Sequence, residues 1–585
     1  MSAIISKPNP PAARFDREGQ NYTHTSPDIE EWAIYRLSED RPQFVAELEE
    51  ASYQRILEES GNQLPDLLSK TIFKEQERVR TEPWKVDPPN ERSYWKQLAK
   101  LLATQSLDED EPTTAEIAAK NILQRIVHRY AEEIVGTFKI PTFHFARRFL
   151  TFFFGRLLNA AGGRTFKSLF SKKILLQEKL LVRGYVEQVR ELSKRGTVVM
   201  VPTHFSNLDS ILVGYALDQV AGLPAMAFGA GLNLYNTGYT AYYMNRLGAY
   251  RVDRRKRNSV YMTTLKMMSK LLIQRGVPSL FFPGGTRSRS GALETKLKLG
   301  LLGTVVEAQR ARYQEGGDEK VFVVPVILSY PFVLEAQYLI EQHLRQEGQD
   351  RYIKAKDSFH SLRSIMKFVW GVFSKGNEIT ITLGQPLDVV GNRVDTEGKS
   401  FSLSGKHVST REYFRDHRSQ LNTDLQRESE YTRLLANRIV ARYHADGMIL
   451  PSHLISYAAF IMLDRAFPKD DLYAILRLPA EDFYFRKDAL TKIVTQLLVK
   501  LRQMEADDKA KLAPELAQSA EDLIAQGISS IGNYHIDKPL RYDSVGRVVS
   551  DNFSLLYYYH NRLSTYPLQH NLHWPREMIG DERKE

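Results

Sequence analysis

Between Thr197 and Asp388, short apolar and β-branched runs alternate with longer stretches of helical period. The runs are "TVVMV", "SLFFP", "VFVVPVIL" and "EITITLG". Unbroken apolar runs of this kind predict strands covered on both faces. Their alternation with helices predicts an α/β domain around a mixed, mainly parallel sheet. From Pro42 to Leu158 the apolar period is helical, interrupted by "TEPWKVDPPNE" and by "LDEDEPTTAE", which opens a helix near Thr114. From Arg411 onward "YTRLLANRIVARYH" and "ALTKIVTQLLVKLRQM" are amphipathic helical runs. The expected organisation is a polar, proline-bearing and poorly ordered stretch at 1–40, a helical region at 41–135 and an α/β domain at 136–390. A Gly- and Ser-containing linker, "GNRVDTEGKSFSLSGKHVST", follows at 391–410, then a helical domain at 411–585. No repeat of fixed period runs through it.

The 585 residues carry 80 basic and 70 acidic side chains, a net charge of +10, so anionic partners are favoured. Phosphorylated small molecules, lipid headgroups and nucleic acid all fit that balance, but no nucleic-acid module is recognisable and none is expected to bind. There is no cysteine, which removes disulfides, thiolate metal sites and a cysteine nucleophile. The N-terminus lacks an apolar core of signal-peptide length. Two uncharged stretches, Gln219 to Asn245 and Gly447 to Leu463, are interrupted by polar residues or too short, so neither predicts a membrane-crossing helix.

Four segments hold candidate chemistry. "VPTHFSNLDS" places His204 five residues before Asp209. In one helix those positions point roughly 140° apart, so they meet only if His204 sits on a strand-end loop and Asp209 in the first helical turn. The same letters also fit a plain capping box over Ser206-Asn207-Leu208-Asp209. "LGAYRVDRRKRN" ends a short extended stretch in Arg254, Arg255, Lys256 and Arg257. A strand-end arginine suits a phosphate, while most of this cluster reads as solvated surface. "SLFFPGGTRSRSG" runs a strand into Gly284-Gly285, where backbone N–H groups can approach an anion, or where the chain simply turns. In "VFVVPVILSY", Pro325 fits an edge strand or a bulge. "GNRVDTEGKS" is not a P-loop, since six residues separate its glycines where four are needed. No zinc helix of the His-Glu-x-x-His type and no Gly-x-Ser-x-Gly elbow occurs, so no metal is expected.

In their order, "HFSNLD", "GAYRVDR", "FPGGTRS" and "VPVILSY" resemble the four blocks of the glycerolipid acyltransferase superfamily. The flanking "IVHRYAEEIVGTFKIPTFHFARRFLTFFFGRLLN", "YPFVLEAQ" and "LLYYYHNRL" are similar to the bacterial glycerol-3-phosphate 1-O-acyltransferases. The resemblance implies an α/β acyltransferase core and transfer of a fatty acyl group from acyl-CoA or acyl carrier protein to the sn-1 hydroxyl of glycerol 3-phosphate. It implies no cofactor beyond that thioester co-substrate. By position, His204 would be the general base and Asp209 its orienter. Arg254, Gly285, Thr286, Arg287 and Ser288 would bind the acceptor, and Pro325 would shape the acyl-donor side. Such a base suits an alcohol nucleophile, typically contributing about 10²–10⁴ in rate. The third block departs from the family at Gly284, where a glutamate is usual; on that basis Gly284→Glu is expected to leave activity unchanged or raise it.

A docking surface for an anionic membrane is expected at 139–173. It carries Lys139, Arg147, Arg148, Arg156, Arg164, Lys167, Lys172 and Lys173 with no acid, and Phe145, Phe149, Phe152, Phe153 and Leu157 near helical spacing. The alternative is a helix packed on the catalytic domain with its arginines outward. The expected location is peripheral, on the cytoplasmic face of the inner (cell) membrane. The rival functions are another acceptor, dihydroxyacetone phosphate or lysophosphatidate, and a membrane-bound scaffold with a decayed site.

Overall fold

The computed structural model describes residues 14–85, 87–105, 112–161, 180–235, 238–333, 335–346, 379–532 and 535–582. The helical period of the N-terminal third produces α1 (Ala33–Glu39), α2 (Arg41–Ser60), α3 (Leu64–Thr81), α4 (Glu91–Gln105) and α5 (Pro112–Ile134). Their inward faces, with Phe44, Leu48, Leu68, Trp95 and Tyr130, build a core that continues into Tyr261 and Leu265 of the α/β region. A further helix, α6 (Ile140–Ala161), leads towards the sheet.

The α/β region runs β1 (Leu180–Gly184), α7 (Val186–Ser193), β2 (Gly196–Pro202), α8 (Asp209–Gln219), β3 (Ala227–Gly231), α9 (Gly238–Met244), β4 (Ala249–Val252), α10 (Ser259–Gln274), β5 (Ser279–Leu280), α11 (Leu299–Gln314), β6 (Lys320–Ser329), α12 (Ala336–Gln346) and β7 (Ile379–Leu383). The seven strands lie in the order β1-β7-β6-β2-β5-β3-β4. Every pairing is parallel except β6 with β7. The sheet is thus mixed and mainly parallel, flanked by helices. β2, β6 and β7 are buried almost throughout, which accounts for their unbroken apolar letters.

Pro325 lies in a central strand, not at an edge. On one side it pairs with Val201 of β2. On the other, β6 pairs Val326 with Leu383 and Val323 with Leu387, so three residues (384–386) face two. The proline's missing N–H falls at this bulge, and its carbonyl accepts from Gly384 N–H at 2.8 Å.

Two expected segments change. Residues 1–13 lie outside the described part, but 14–40 are not loose. Asp16 exchanges two backbone hydrogen bonds with Gly184 at the outer edge of β1. Ile29, Trp32 and Ile34 are buried, with His24 stacked on the Trp32 ring at 5.1 Å. These apolar anchors outweigh the polar composition. The stretch at 391–410 is not a linker. It folds as a meander of β8 (Arg393–Val394), β9 (Ser400–Phe401) and β10 (His407–Val408), with Val394 packed on Leu192 and Phe322. Gly391, Gly398 and Gly405 all have positive φ; they make turns, not slack.

The C-terminal region contains α13 (Leu425–Asp446), α14 (Pro451–Ala466), α15 (Lys487–Ala506), α16 (Ala520–Gly532) and α17 (Phe553–His560). It shares one continuous core with the sheet. The uncharged run noted at 447–463 is mostly α14, buried on all sides from Pro451 to Leu463. No helix among the described residues is long and apolar enough to cross a membrane.

Candidate active site

β2, β3, β4, β5 and β6 run parallel, and their carboxyl ends open on one cleft of about 380 Å³. His204, Arg254, Thr286 and Arg287 all line it, together with Arg289, Phe282, Trp84 and Tyr338.

β2 ends at Pro202, His204 follows on a loop, and α8 begins at Asp209. Nδ1 of His204 lies 2.8 Å from Asp209 Oδ2. A carboxylate only accepts, so Nδ1 carries the proton and Nε2 is left as a base. Asp209 is wholly buried, and the same Oδ2 accepts from the N–H groups of Phe205 (2.6 Å) and Ser206 (2.9 Å). Its Oδ1 accepts from the Tyr330 hydroxyl at 2.6 Å. Burial, then the charge of Asp209, pushes the Tyr330 hydroxyl well above its ordinary range, so it stays a donor. The expected capping box does not form. Leu208 is the N-cap with no side-chain bond, and Ser206 Oγ instead donates to Glu335. The backbone of His204 is held on both sides: its N–H donates to Glu294 Oε1 (2.9 Å) and its carbonyl accepts from Ser288 N–H (2.7 Å). Its ring packs 4.3 Å from Phe282.

Across the cleft, Arg254 is exposed and makes no ion pair among the described residues. Partial desolvation by the cleft walls, then the positive charge of Arg287, lowers its guanidinium from the ordinary value, an environment that an anion would relieve. Arg287 leans on Glu335 at 3.2 Å, and Arg289 donates to Gln346. The neighbours of Arg254 are not solvated, as expected, but tied into the N-terminal helices. Arg255 pairs with Asp253 and Asp87, and buried Lys256 with Glu133. Asn258, the N-cap of α10, donates to Glu75 (2.8 Å) and to Tyr130 (3.0 Å). Glu75 and Glu91 in turn hold Arg78. Only Arg257 of the cluster is exposed beside Arg254.

Three residues assigned to binding do not line this cleft. Gly285 (φ +79°) closes a turn on Phe282 beneath it. Ser288 turns its hydroxyl to the Ala292 carbonyl at 2.7 Å and serves His204 through its backbone. Pro325 stays inside the sheet. Conversely, sequence reasoning missed Glu294, Tyr330, Glu335, Arg289 and Trp84. Glu335 lay in the quoted "YPFVLEAQ", whose acid amid apolar letters was a usable signal. Trp84 stood in a stretch taken only as a helix break.

A second, apolar cavity of about 130 Å³ lies beside the cleft, lined by Phe143, Leu150, Ile211, Met226, Phe228 and Leu280 among others. Ser210 lines both. One face of α6 closes this cavity. Arg147 on that face is turned inward onto Asp218, with bonds of 2.8 and 2.6 Å. Phe145, Phe149 and Phe152 are exposed on the other side with Arg148. The side chains of Phe153, Arg156 and Leu157, and residues 162–173, lie outside the described part.

Residues 183–329 match the sequence profile of the family described as Acyltransferase. Over 321 residues the chain is 27% identical to the glycerol-3-phosphate acyltransferase of Aeromonas hydrophila, covering 54% of this chain and 35% of that protein. It is 25% identical to those of Pseudoalteromonas translucida (55% and 36% covered) and Shewanella frigidimarina (54% and 35%). The match therefore spans little more than a third of these relatives' own length. Sheet, cleft and sequence agree: this chain carries a domain of the acyltransferase family at residues 183–329, and is similar over about half its length to glycerol-3-phosphate acyltransferases.

Proposed function

We propose that this chain transfers a fatty acyl group from acyl-CoA or acyl carrier protein to the sn-1 hydroxyl of glycerol 3-phosphate, giving lysophosphatidic acid. One observation carries the reading: a single cleft unites His204 with four arginines, of which Arg255 is already tied to Asp253 and Asp87, and shares Ser210 with an apolar cavity. The arginines match the phosphate, Nε2 the hydroxyl, and the cavity the acyl chain. Nε2 takes the hydroxyl proton as the oxygen bonds to the thioester carbonyl carbon. Collapse of the tetrahedral adduct breaks the carbon–sulfur bond, and the proton passes from Nε2 to the leaving thiolate. Asp209 stabilises the imidazolium between these events and fixes its tautomer.

The exposed Phe145, Phe149 and Phe152, with Arg148 beside them and Tyr242 on α9, support peripheral docking on an anionic membrane, at the cytoplasmic face of the inner (cell) membrane. The same helix walls the apolar cavity, so a chain taken from the lipid phase would have a short path.

The test is transfer to labelled glycerol 3-phosphate, with palmitoyl-CoA and palmitoyl carrier protein offered separately. Unlabelled dihydroxyacetone phosphate or lysophosphatidate is added as competitor. Label in lysophosphatidic acid that vanishes in His204→Ala is expected. Transfer to another acceptor alone, or none that depends on His204, overturns the reading. Binding to phosphatidylglycerol vesicles that matches binding to phosphatidylcholine vesicles would refute the membrane part.

A further inference from the structure

We propose that Glu294 is the carboxylate that positions the catalytic base, and that glycine is needed at 284 to leave it room. The inference rests on the reading of His204 as that base.

Glu294 comes from the loop between β5 and α11, ten residues after Gly284, yet its side chain returns to the foot of the same turn. It is partly buried, and its Oε1 accepts the backbone N–H of His204 at 2.9 Å. Ser288 grips the His204 carbonyl, and Lys298 N–H closes the loop onto the Pro283 carbonyl at 2.8 Å. His204 is therefore held at three points, its carbonyl by Ser288, its ring by Asp209 and its N–H by Glu294. The space Glu294 uses is the space above Gly284. A Cβ placed there would stand 3.2 Å from both Cγ and Oε1 of Glu294, tighter than ordinary contact. A glutamate at 284 would bring a second carboxylate against the first in a partly buried turn, where two adjacent like charges oppose each other. This reverses the expectation that Gly284→Glu is harmless. The turn has one place for a carboxylate, and here residue 294 fills it.

Burial raises the Glu294 carboxyl, opposed by the His204 N–H that its Oε1 accepts. Acyl transfer by the full chain should then fall at least tenfold in kcat for Glu294→Ala, with little change in KM for glycerol 3-phosphate. Glu294→Gln, which keeps the acceptor oxygen, should recover most of that loss. Gly284→Glu alone should also fall at least tenfold. Gly284→Glu combined with Glu294→Ala, one carboxylate in place of the other, should exceed both single variants. A second readout needs no turnover: the rate at which diethyl pyrocarbonate modifies His204, followed by mass spectrometry. That rate should change at least threefold in Glu294→Ala and return in Glu294→Gln.

Glu294→Ala within threefold of the parent in both readouts overturns the proposal. So does a double variant no better than either single one. If the parent transfers no acyl group to any acceptor but the modification rates behave as stated, Glu294 still positions His204 and the acyltransferase reading fails instead.

Discussion

The two halves of the cleft are built from buried carboxylates in different ways. Behind His204 the acids come from strand-end loops of the α/β region itself: Asp209, Glu294 and Glu335. They are backed by the C-terminal region, where His453 Nε2 meets the Tyr330 carbonyl at 3.0 Å and buried Arg562 donates to the Leu328 carbonyl at 2.9 Å. Behind Arg254 the acids come from the N-terminal helices and their connections, more than a hundred residues away: Glu75, Asp87, Glu91 and Glu133. Asp87 illustrates the pull. Burial opposes its ionisation, yet Arg255, the Trp84 N–H and Arg78 hold its carboxyl below the ordinary range. On the proposed function, one flank would fix the proton chemistry and the other the grip on the phosphate. A chain with only the α/β region would have the letters of the site without the walls that aim them.

That contrast makes kcat and KM separable. His204→Ala should cost about 10²–10⁴ in kcat, the usual worth of a positioned base; acyl transfer insensitive to it removes the first half of the comparison. Arg254→Ala should raise the acceptor KM about 10–100-fold with kcat nearly kept, as expected for a bond between charged groups worth about 1.5–3 kcal/mol. Arg254→Lys should restore it poorly, because an ammonium cannot form the planar fork. Asp87→Asn touches no substrate, yet by loosening Arg255 it should raise the same KM about three- to tenfold, an indirect effect of about 1 kcal/mol, the size of one ordinary hydrogen bond. A drop in kcat instead would mean the flanks are not specialised.

The smallest effect on rate is the sharpest on architecture. Burial lowers His453 to about 3 and His535 and His560 to about 4, from 6.5, and all three lie in the C-terminal region. Between those values and 6.5 the unfolded chain binds protons that the folded chain refuses. Stability is therefore full above pH 6.5 and declines as pH falls towards 4. Asp87 and Glu91, held below the ordinary carboxyl range against their burial, stay ionised through the same window, while burial raises Glu75 beside them. Hydrogen exchange at pH 5 against pH 7 should show α14 and α17 losing protection before α2, α3 and α5. The opposite order breaks the comparison.

The fold class was readable because apolar runs and helical periods are local. The same holds for His204 and Asp209, whose five-residue spacing matters only at a strand-to-helix turn, and the letters on either side spell that turn. What stayed hidden was long-range. Nothing near Arg255 or Lys256 announces partners at 87 and 133, so they passed for surface. Glu294 could not be linked to His204, 90 residues earlier, without the loop that carries it back. The meander at 391–410 was taken for slack because its glycines and serines also compose turns. The order of residues 14–40 rests on Trp32 and its neighbours, too few to shift a composition average.

Ser210 belongs to both compartments, and its side chain ends two heavy atoms beyond the backbone. An oily chamber and an ionic one therefore share a residue of little bulk. On the proposed function, the atom that must answer to both, a carbonyl carbon with a hydrocarbon tail behind it and an alcohol in front, would stop there. Thicken that divider, with Ser210→Phe for instance, and tail and alcohol would each still find a home while never meeting.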